Sequence, residues 1–347
     1  MFLDKSKERP TFSQEDVLEF VQRQYGLMGT LNPLPAFTDQ NFLLDCGGAG
    51  RYVVKIASRA EDPEALDLQN AALDLLARDW SAASSPRVVK SNGGESICTI
   101  SDSDGRTYAA RVLTYLPGTL MAAVAQRPDS TLEQIGQALG ELDLCLMEFE
   151  HPAMDREHRW DPRQAQWLTG ATQHIPDPGQ RGIVERLVGQ YDRLVGPLAD
   201  QLPQSVIHND ANEENLLLER DEDGDLRMTG LLDFGDMLRT YTVNELAVAC
   251  AYAILGQDDP LEVAASITAG YHRARPLSDT EIKALFPLIC LRLCVSVTRS
   301  AMAAKEDPHN EHRRISERAA WEMLARLEDI DWRAAENRLK PTGGPEP

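Results

Sequence analysis

The sequence lacks the features that mark membrane proteins, secreted proteins and thiolate metal sites. Its six cysteines form no CxxC pair and no cluster with histidines, so the sequence predicts no zinc site. No stretch approaches the roughly 18 apolar residues of a membrane-spanning helix, and the first residues include no apolar signal-peptide core. We therefore expect a reduced, soluble protein of the cytoplasm.

Basic residues are scarce as well. The 35 lysines and arginines stand against 55 aspartates and glutamates, which gives a formal net charge of −20. Such a chain repels nucleic-acid backbones and anionic membranes, so we expect neither as a partner. The charge favours a small cationic partner, although surplus carboxylates also serve simply to keep a protein soluble. The sequence makes no prediction of the oligomeric state.

The 347 residues divide into a strand-rich first part and a helix-rich second part. Short apolar runs between turn residues predict strands at 31–37, 41–45, 51–57, 97–101 and 107–115. A capping-box variant, Ser13 with Asp16, predicts the start of a first helix, and Pro63 is expected in the first turn of the next. The further helical patterns occupy 63–80, 131–149, 162–170, 180–201, 243–255, 261–273, 278–304 and 309–330, with a strand-forming segment over 206–233. We predict an α+β protein with an N-terminal nucleotide-binding lobe (1–115), a C-terminal catalytic and acceptor-binding lobe (116–340) and a flexible tail (341–347). This asymmetry predicts a ligand cleft between the lobes.

The strongest signal for chemistry is a polar segment after an apolar strand, HNDANEEN, which contains Asp210 and Asn215. Asp233, in LLDFGDM, ends another apolar strand eighteen residues after Asn215. Because all three side chains stand at strand ends, we expect them to converge. Magnesium prefers carboxylate and amide oxygens, and a neighbouring carboxylate can accept the proton of an attacking hydroxyl. The spacing D-x4-N followed by DFG is typical of phosphoryl-transfer enzymes.

A second signal is Lys55, which lies in an otherwise apolar strand, YVVKI. A buried ammonium group without an anion is costly, and in kinase-like enzymes such a lysine binds the nucleotide phosphates. Glu64 and Asp67, three residues apart on the next helix, are the candidate carboxylate partners of the lysine. We favour Asp67, while either residue also fits as a favourable charge near a helix N-terminus.

These motifs make the chain resemble the aminoglycoside phosphotransferase family, also called the choline/aminoglycoside kinase-like group, over nearly its full length. The family segment H-G-D-x4-N stands here with Asn209 in place of glycine, a mild departure because asparagine also tolerates unusual backbone angles. The resemblance implies a bilobal, protein-kinase-like α+β fold with a small antiparallel sheet in the first lobe. It further implies Asp210 as the catalytic base, Asn215 and Asp233 as magnesium ligands, and His208 as a brace for the loop.

Within the family, the phrases PAFTDQNFLL, RWDPRQA and LLDFGDMLRTYTVNELAVACAYAIL resemble the hydroxylysine-kinase-like branch. This implies transfer of the γ-phosphoryl group of a magnesium nucleotide, ATP or GTP, to a hydroxyl of an amino alcohol or hydroxy amino acid, most like 5-hydroxylysine. Two alternatives stay open: an antibiotic-inactivating aminoglycoside phosphotransferase, and an inactive binding scaffold on the same fold. The scaffold is disfavoured because Lys55, Asp210, Asn215 and Asp233 are all present.

We expect the nucleotide to contact the loop that ends at Asn41 and the linker over 113–118, which includes Leu113 and Tyr115. In the loop, Thr-Asp-Gln-Asn replaces a glycine-rich turn, and Asn41 either contacts the phosphates or belongs to a plain turn. Backbone groups of Leu113 and Tyr115 are expected to meet the purine.

The acceptor pocket is expected near Asp210. Candidate anions for an ammonium group are Asp236, Glu213, Glu214 and Asp161, and candidate cations for a carboxylate are Arg239, Arg292 and Arg299. For each arginine the alternative is a pair with a buried carboxylate such as Glu245. Trp160 either walls the pocket or packs in the core.

Overall fold

The computed structural model describes residues 8–36, 38–306 and 317–341. Within these limits the chain forms two compact units: 8–80 with 84–117 and 151–154, and 81–83 with 118–150 and 155–341. Phe37 of the first predicted strand, residues 309–316 of the last predicted helix and residues 342–347 of the predicted tail lie outside the described residues.

The first unit is built on one antiparallel sheet. Its strands are β1 (Thr30–Leu34), β2 (Gln40–Asp45), β3 (Arg51–Ile56), β4 (Val88–Val89), β5 (Cys98–Ser101) and β6 (Thr107–Thr114). Their order is β1-β2-β3-β6-β4, and β5 also pairs with β6. The register sets Asn41, Lys55 and Arg111 opposite one another on β2, β3 and β6. Paired residues in antiparallel strands share a face, so Lys55 has a second cation beside it.

Two helices complete the first unit. Helix α1 (Gln14–Tyr25) begins with the capping box that its sequence predicts, Ser13 with Asp16, and buries an apolar face against the sheet. Helix α2 (Pro63–Asp79) begins with Pro63 in its first turn. Arg111 of β6 ties α2 to the sheet, because its buried guanidinium donates to Asn70 Oδ1 at 2.8 Å.

The second unit is mainly helical. Its helices are α3 (Asp129–Leu146), α4 (Trp167–Ala171), α5 (Pro178–Val195), α6 (Val243–Ala253), α7 (Pro260–Ala274), α8 (Asp279–Glu306), α9 (Glu317–Glu328) and α10 (Trp332–Leu339). Helices α3 and α7 cross with their backbones in contact: a Cβ at Gly136 would lie 1.9 Å from Ile267 O, and one at Gly270 would lie 1.8 Å from Glu133 O. Every residue of α6 is buried, so this helix forms the centre of the unit. Among the described helices, none combines the length and the apolar character needed to cross a bilayer.

Five short strands form two small sheets in the second unit. They are β7 (Thr119–Leu120), β8 (Gln204–Ile207), β9 (Leu216–Arg220), β10 (Leu226–Leu231) and β11 (Leu238–Tyr241), ordered β10-β9-β7 and β11-β8. The partner of β8 is therefore β11, which the sequence does not predict. The predicted helix over 162–170 is instead a 3-10 turn followed by the short α4, because Asp161 caps the turn at Pro162. Both pairings bring strand ends to the loop that carries Asp210.

Candidate functional site

Asp210 lies in the loop between β8 and β9, and its carboxylate is held by three side chains. Oδ1 accepts hydrogen bonds from Arg292 Nη2 at 2.6 Å and from Asn212 Nδ2 at 3.0 Å. Oδ2 accepts one from Asn215 Nδ2 at 2.9 Å. The Asp210 side chain is nevertheless 21% exposed, so the carboxylate is both fixed in orientation and open to a ligand.

Burial and negative neighbours govern the protonation of Asp210. Burial disfavours the charged form, and the carboxylates of Asp236 and Asp233 add repulsion, while Arg292 acts in the opposite sense. Together these effects raise the pKa of Asp210 to about 8. All three hydrogen bonds donate to Asp210, so the geometry is that of the carboxylate form, which can accept a proton from a hydroxyl.

The backbone of the loop turns at Asn209, whose φ of 65° lies in the left-handed region. Its backbone N–H donates to Glu245 Oε2 at 2.8 Å, and its side-chain Nδ2 donates to Asp236 O at 3.2 Å. Asn244 Nδ2 donates in turn to Asn209 Oδ1 at 2.9 Å. An asparagine therefore stabilises this turn through its side chain as well as tolerating the left-handed backbone.

His208 joins the loop to the segment that leads to Asp233. Its Nδ1 accepts from the backbone N–H of Asp210 at 3.2 Å, so the proton resides on Nε2, which lies 2.9 Å from Leu232 O. The ring packs edge-on against Phe234 at 4.6 Å between centroids. Burial lowers the pKa of His208 to about 4, so the imidazole is neutral at physiological pH.

Asn215 and Asp233 lie on adjacent strand ends, since Leu232 N donates to Asn215 O at 2.8 Å. Both bonds that Asn215 Nδ2 makes run to Asp210, which leaves Oδ1 as the amide atom that can bind a cation. Asp233 is exposed and its backbone φ is 51°. Its Oδ1 accepts a hydrogen bond from Gly235 N at 3.3 Å. Within the described ranges, no three His, Cys, Asp or Glu side chains are grouped as a metal site. One amide and one carboxylate fit a magnesium ion whose remaining ligands are phosphate oxygens and water.

Trp160 carries two arginines of helix α8 over its ring. The guanidinium carbon of Arg292 is 3.9 Å from the ring centroid and that of Arg299 is 4.5 Å from it. Both arginines interact electrostatically with Asp236, whose Oδ1 lies 3.3 Å from His158 Nε2. Although burial opposes its ionisation, His158, Arg292 and Arg299 hold the pKa of Asp236 well below its usual range.

The other acceptor candidates differ in their surroundings. Asp161 is fully buried, where it accepts from Thr240 Oγ1 at 2.7 Å and pairs with Arg163, so the expectation that it faces a substrate is wrong. Arg239 is bound by Asp155 through two hydrogen bonds. Glu213 is half-buried and its charge acts on Arg127, and Glu214 is exposed.

In the first unit, Lys55 is half-buried in β3, with Asn41 and Arg111 as its strand neighbours. Asp67 is 67% exposed and lies 3.3 Å from His151 Nε2. Leu113 is buried within β6 itself. Tyr115 follows that strand, and the guanidinium of Arg51 lies 4.2 Å from its ring centroid.

Sequence reasoning missed the role of Arg292 beside Asp210 and that of His158 beside Asp236. Arg292 is a candidate cation for the acceptor carboxylate, with a buried carboxylate such as Glu245 as the alternative partner, and its ion pair is with the Asp210 carboxylate. The available signal was an arginine in an apolar helix that requires a buried anion. His158 lies in an irregular segment, and nothing in its sequence context indicates an ion pair.

Comparison with known proteins identifies a family and a similar enzyme. Residues 30–280 match the phosphotransferase enzyme family. The chain is similar to hydroxylysine kinase of Mus musculus, with 29% identity over 96% of this chain and 93% of that protein.

Two solved structures share the fold. The microcompartment-associated aminopropanol kinase has a TM-score of 0.70 and 15% identity, over 93% of this chain and 98% of that one. An amicoumacin kinase in complex with AMP-PNP, Ca²⁺ and Ami has a TM-score of 0.68 and 16% identity, over 95% of both chains. The predicted kinase-like α+β fold is therefore confirmed.

Proposed function

The chain belongs to the phosphotransferase enzyme family, and from that premise we propose that it phosphorylates a hydroxy amino acid with a magnesium nucleotide as donor. It is a small-molecule kinase that acts on a hydroxyl and takes its phosphoryl group from a nucleotide. Magnesium as the metal, the catalytic and binding residues, and the identity of the acceptor are proposals. A cytoplasmic location stays a prediction.

The observation that carries the chemistry is the Asp210 carboxylate, which is partly exposed and held by Arg292, Asn212 and Asn215. The acceptor hydroxyl hydrogen-bonds to this carboxylate. As the hydroxyl oxygen attacks the γ-phosphorus, its proton passes to Asp210, and the bond between the γ-phosphorus and the bridging oxygen of the nucleotide breaks. His208 and Asn209 hold the loop backbone and so set the position of the base.

Asn215 and Asp233 are proposed to hold magnesium through Oδ1 of the amide and the carboxylate. When bound by these two residues, magnesium would neutralise charge on the phosphate oxygens of the donor. The arrangement supports this proposal because Asp210 takes the hydrogen bonds of Asn215 Nδ2 and so turns the amide oxygen toward other partners.

The first unit is proposed to bind the nucleotide. The Lys55 ammonium group neutralises charge on the phosphates. Asn41, which is paired with Lys55 across β2 and β3, contacts the phosphates from the same face of the sheet. Asp67 is proposed to support Lys55, and Leu113 and Tyr115 are proposed to line the purine site. Neither ATP nor GTP is favoured by any of these contacts. The proposed lobes, 1–115 and 116–340, assign nucleotide binding to the first and catalysis with acceptor binding to the second.

The proposed acceptor is 5-hydroxylysine. Support comes from the identity with the mouse hydroxylysine kinase, which extends over nearly the whole of both chains. Asp236, Glu213, Trp160 and Arg299 are proposed to surround this acceptor. This similarity does not favour an aminoglycoside as the acceptor.

The test is nucleotide consumption with ATP and with GTP, in magnesium, against 5-hydroxylysine, ethanolamine, choline, homoserine and kanamycin. Asp210→Ala serves as the blank, and Asp223→Ala, in the exposed hairpin between β9 and β10, is the matched control. We expect turnover with 5-hydroxylysine, a loss of several orders of magnitude in Asp210→Ala with nearly unchanged nucleotide affinity, and full activity in Asp223→Ala.

Three other outcomes of this assay would change the proposal. Turnover of kanamycin alone would replace the acceptor by an aminoglycoside. Survival of turnover in Asp210→Ala would remove this residue from its proposed role. Silence across the panel without nucleotide binding would favour the inactive scaffold.

A further inference from the structure

Trp160, Arg292 and Arg299 form a stack in the second unit, which we call the arginine–tryptophan stack. Both guanidinium groups lie over the same indole ring, at 3.9 Å and 4.5 Å from its centroid. The two arginines are seven residues apart on helix α8, hence two turns apart on one face. An aromatic face attracts a guanidinium group and restricts its plane, so the ring fixes both cations.

The two arginines of the stack differ in their counter-charges. Arg292 is buried and compensated: it binds Asp210 Oδ1 at 2.6 Å and Asn209 O at 3.2 Å, and its Nε donates to Tyr252 Oη at 3.3 Å. Arg299 is half-buried and makes no hydrogen bond or ion pair with any residue in the described part of the chain. Among the described residues, the five N–H donors of this planar group therefore have no acceptor.

The electrostatic surroundings of Arg299 contain two cations and one carboxylate. Burial lowers its pKa, and repulsion from Arg159 and Arg292 adds to that effect, while Asp236 opposes it. The carboxylate of Asp236 is itself paired with His158 at 3.3 Å. Within the described ranges Arg299 is thus a half-buried cation without an ion pair, which favours the binding of an anion from outside the protein.

We propose that Arg299 binds the carboxylate of the acceptor, so that the enzyme selects hydroxy amino acids over simple amino alcohols. The inference rests on the proposed function, because it takes Asp210 as the place of the hydroxyl. Arg292 connects the two ends: it binds Asp210 and shares the Trp160 ring with Arg299. An acceptor that contacts both Asp210 and Arg299 must carry its carboxylate several bonds from its hydroxyl, as 5-hydroxylysine does.

The experiment compares acceptors that differ only in the carboxylate. The pairs are 5-hydroxylysine with 1,5-diaminopentan-2-ol, and homoserine with 3-aminopropan-1-ol, each assayed for kcat/KM at saturating magnesium nucleotide. We expect the wild-type enzyme to prefer the carboxylate member of the pair it phosphorylates by about 10- to 100-fold, the range of a hydrogen bond to a charged group.

Variants at Arg299 identify the residue responsible. In Arg299→Gln we expect kcat/KM to fall more for the carboxylate member of the pair than for the carboxylate-free amine, so that the preference vanishes. Arg299→Lys keeps the charge but loses the bidentate geometry, so it should keep a reduced preference. Arg273→Gln removes an exposed arginine paired with Glu133 on α7 and α3, and serves as the matched control with full preference.

The failures can be told apart. Equal use of both members of a pair by the wild-type enzyme would overturn the inference and leave the kinase function intact. If kcat/KM fell equally for both members of a pair in Arg299→Gln and in Arg299→Lys, Arg299 would have a structural role, and the inference would also be overturned. Absence of turnover with every pair would overturn the proposed function, and the inference with it.

Discussion

Arg292, on the long helix α8, donates from Nη2 to Oδ1 of Asp210 at 2.6 Å, although 82 residues separate the two in the chain. The arginine side chain is 3% exposed and the aspartate side chain 21% exposed. A guanidinium cannot lose its proton in a protein, so it is a permanent positive charge beside the carboxylate. The contact fixes both the orientation and the charge balance of the residue that we propose as the catalytic base.

Substitution of Arg292 should impair turnover more than nucleotide binding. We expect Arg292→Gln to lower kcat by about 100-fold, because a misplaced catalytic group costs about this much, while the Kd of the nucleotide changes little. Loss of one partner of a buried ion pair should also lower the free energy of unfolding by about 3 kcal/mol. Steady-state kinetics and urea unfolding measure the two effects, with Arg273→Gln as the exposed control. A fully active Arg292→Gln enzyme would contradict a positioning role.

Removal of the Asp233 charge should weaken metal-dependent nucleotide binding. Asp233→Asn suits this test because asparagine tolerates the φ of 51° and can keep the hydrogen bond to Gly235 N. We expect the magnesium concentration for half-maximal nucleotide binding to rise about tenfold or more. The measurement is a calorimetric titration at several magnesium concentrations, repeated in EDTA and with Asp223→Asn as control. An unchanged magnesium requirement would remove Asp233 from the metal site.

The left-handed backbone at Asn209 should make alanine worse than glycine there. Both substitutions delete the side-chain bonds to Asp236 O and Asn244 Nδ2, but only alanine retains a Cβ at φ 65°. Left-handed strain costs about 1–2 kcal/mol, and the greater freedom of unfolded glycine offsets about 0.4–1 kcal/mol of it. We therefore expect Asn209→Ala to be less stable than Asn209→Gly by about 1 kcal/mol in urea unfolding. The reverse order would contradict the backbone argument.

Residues of the candidate site that are close in sequence could be predicted, and their long-range partners could not. The segment HNDANEEN identifies Asp210 and Asn215 because a short loop after a strand fixes their separation. Asn209 could be recognised as a turn residue for the same local reason. The choice of Asp210 over Glu245 as the ion-pair partner of Arg292 depends on how α8 packs across the unit, which no local pattern encodes.

The same distinction holds for the fold. The capping box of α1 and the proline in the first turn of α2 are local signals, and the helices begin where those signals predict. Strand β11 escaped prediction because its four residues, Leu238–Tyr241, include an arginine and show no run of alternating apolar residues. It forms because β8 lies beside it and pairs with it residue for residue.

Acid should destabilise the protein through His208. The pKa of this buried imidazole is lowered to about 4, below the ordinary value of 6.5, so the unfolded chain binds the proton more readily than the native protein does. The stability that the neutral imidazole contributes is therefore present above pH 6.5 and is lost as the pH falls toward 4. From pH 7 to about pH 5 this one group should remove about 2 kcal/mol of unfolding free energy.

A comparison of pH slopes isolates that effect from the protonation of carboxylates. His208→Asn has no imidazole at this position, so its unfolding free energy should fall by about 2 kcal/mol less than that of the wild type between pH 7 and about pH 5. Urea unfolding across this pH range measures both slopes. Parallel slopes for His208→Asn and the wild type would mean that protonation of His208 does not oppose folding. Such a result would contradict the assignment of His208 Nδ1 as acceptor of the Asp210 N–H, since only a neutral ring can accept a hydrogen bond there.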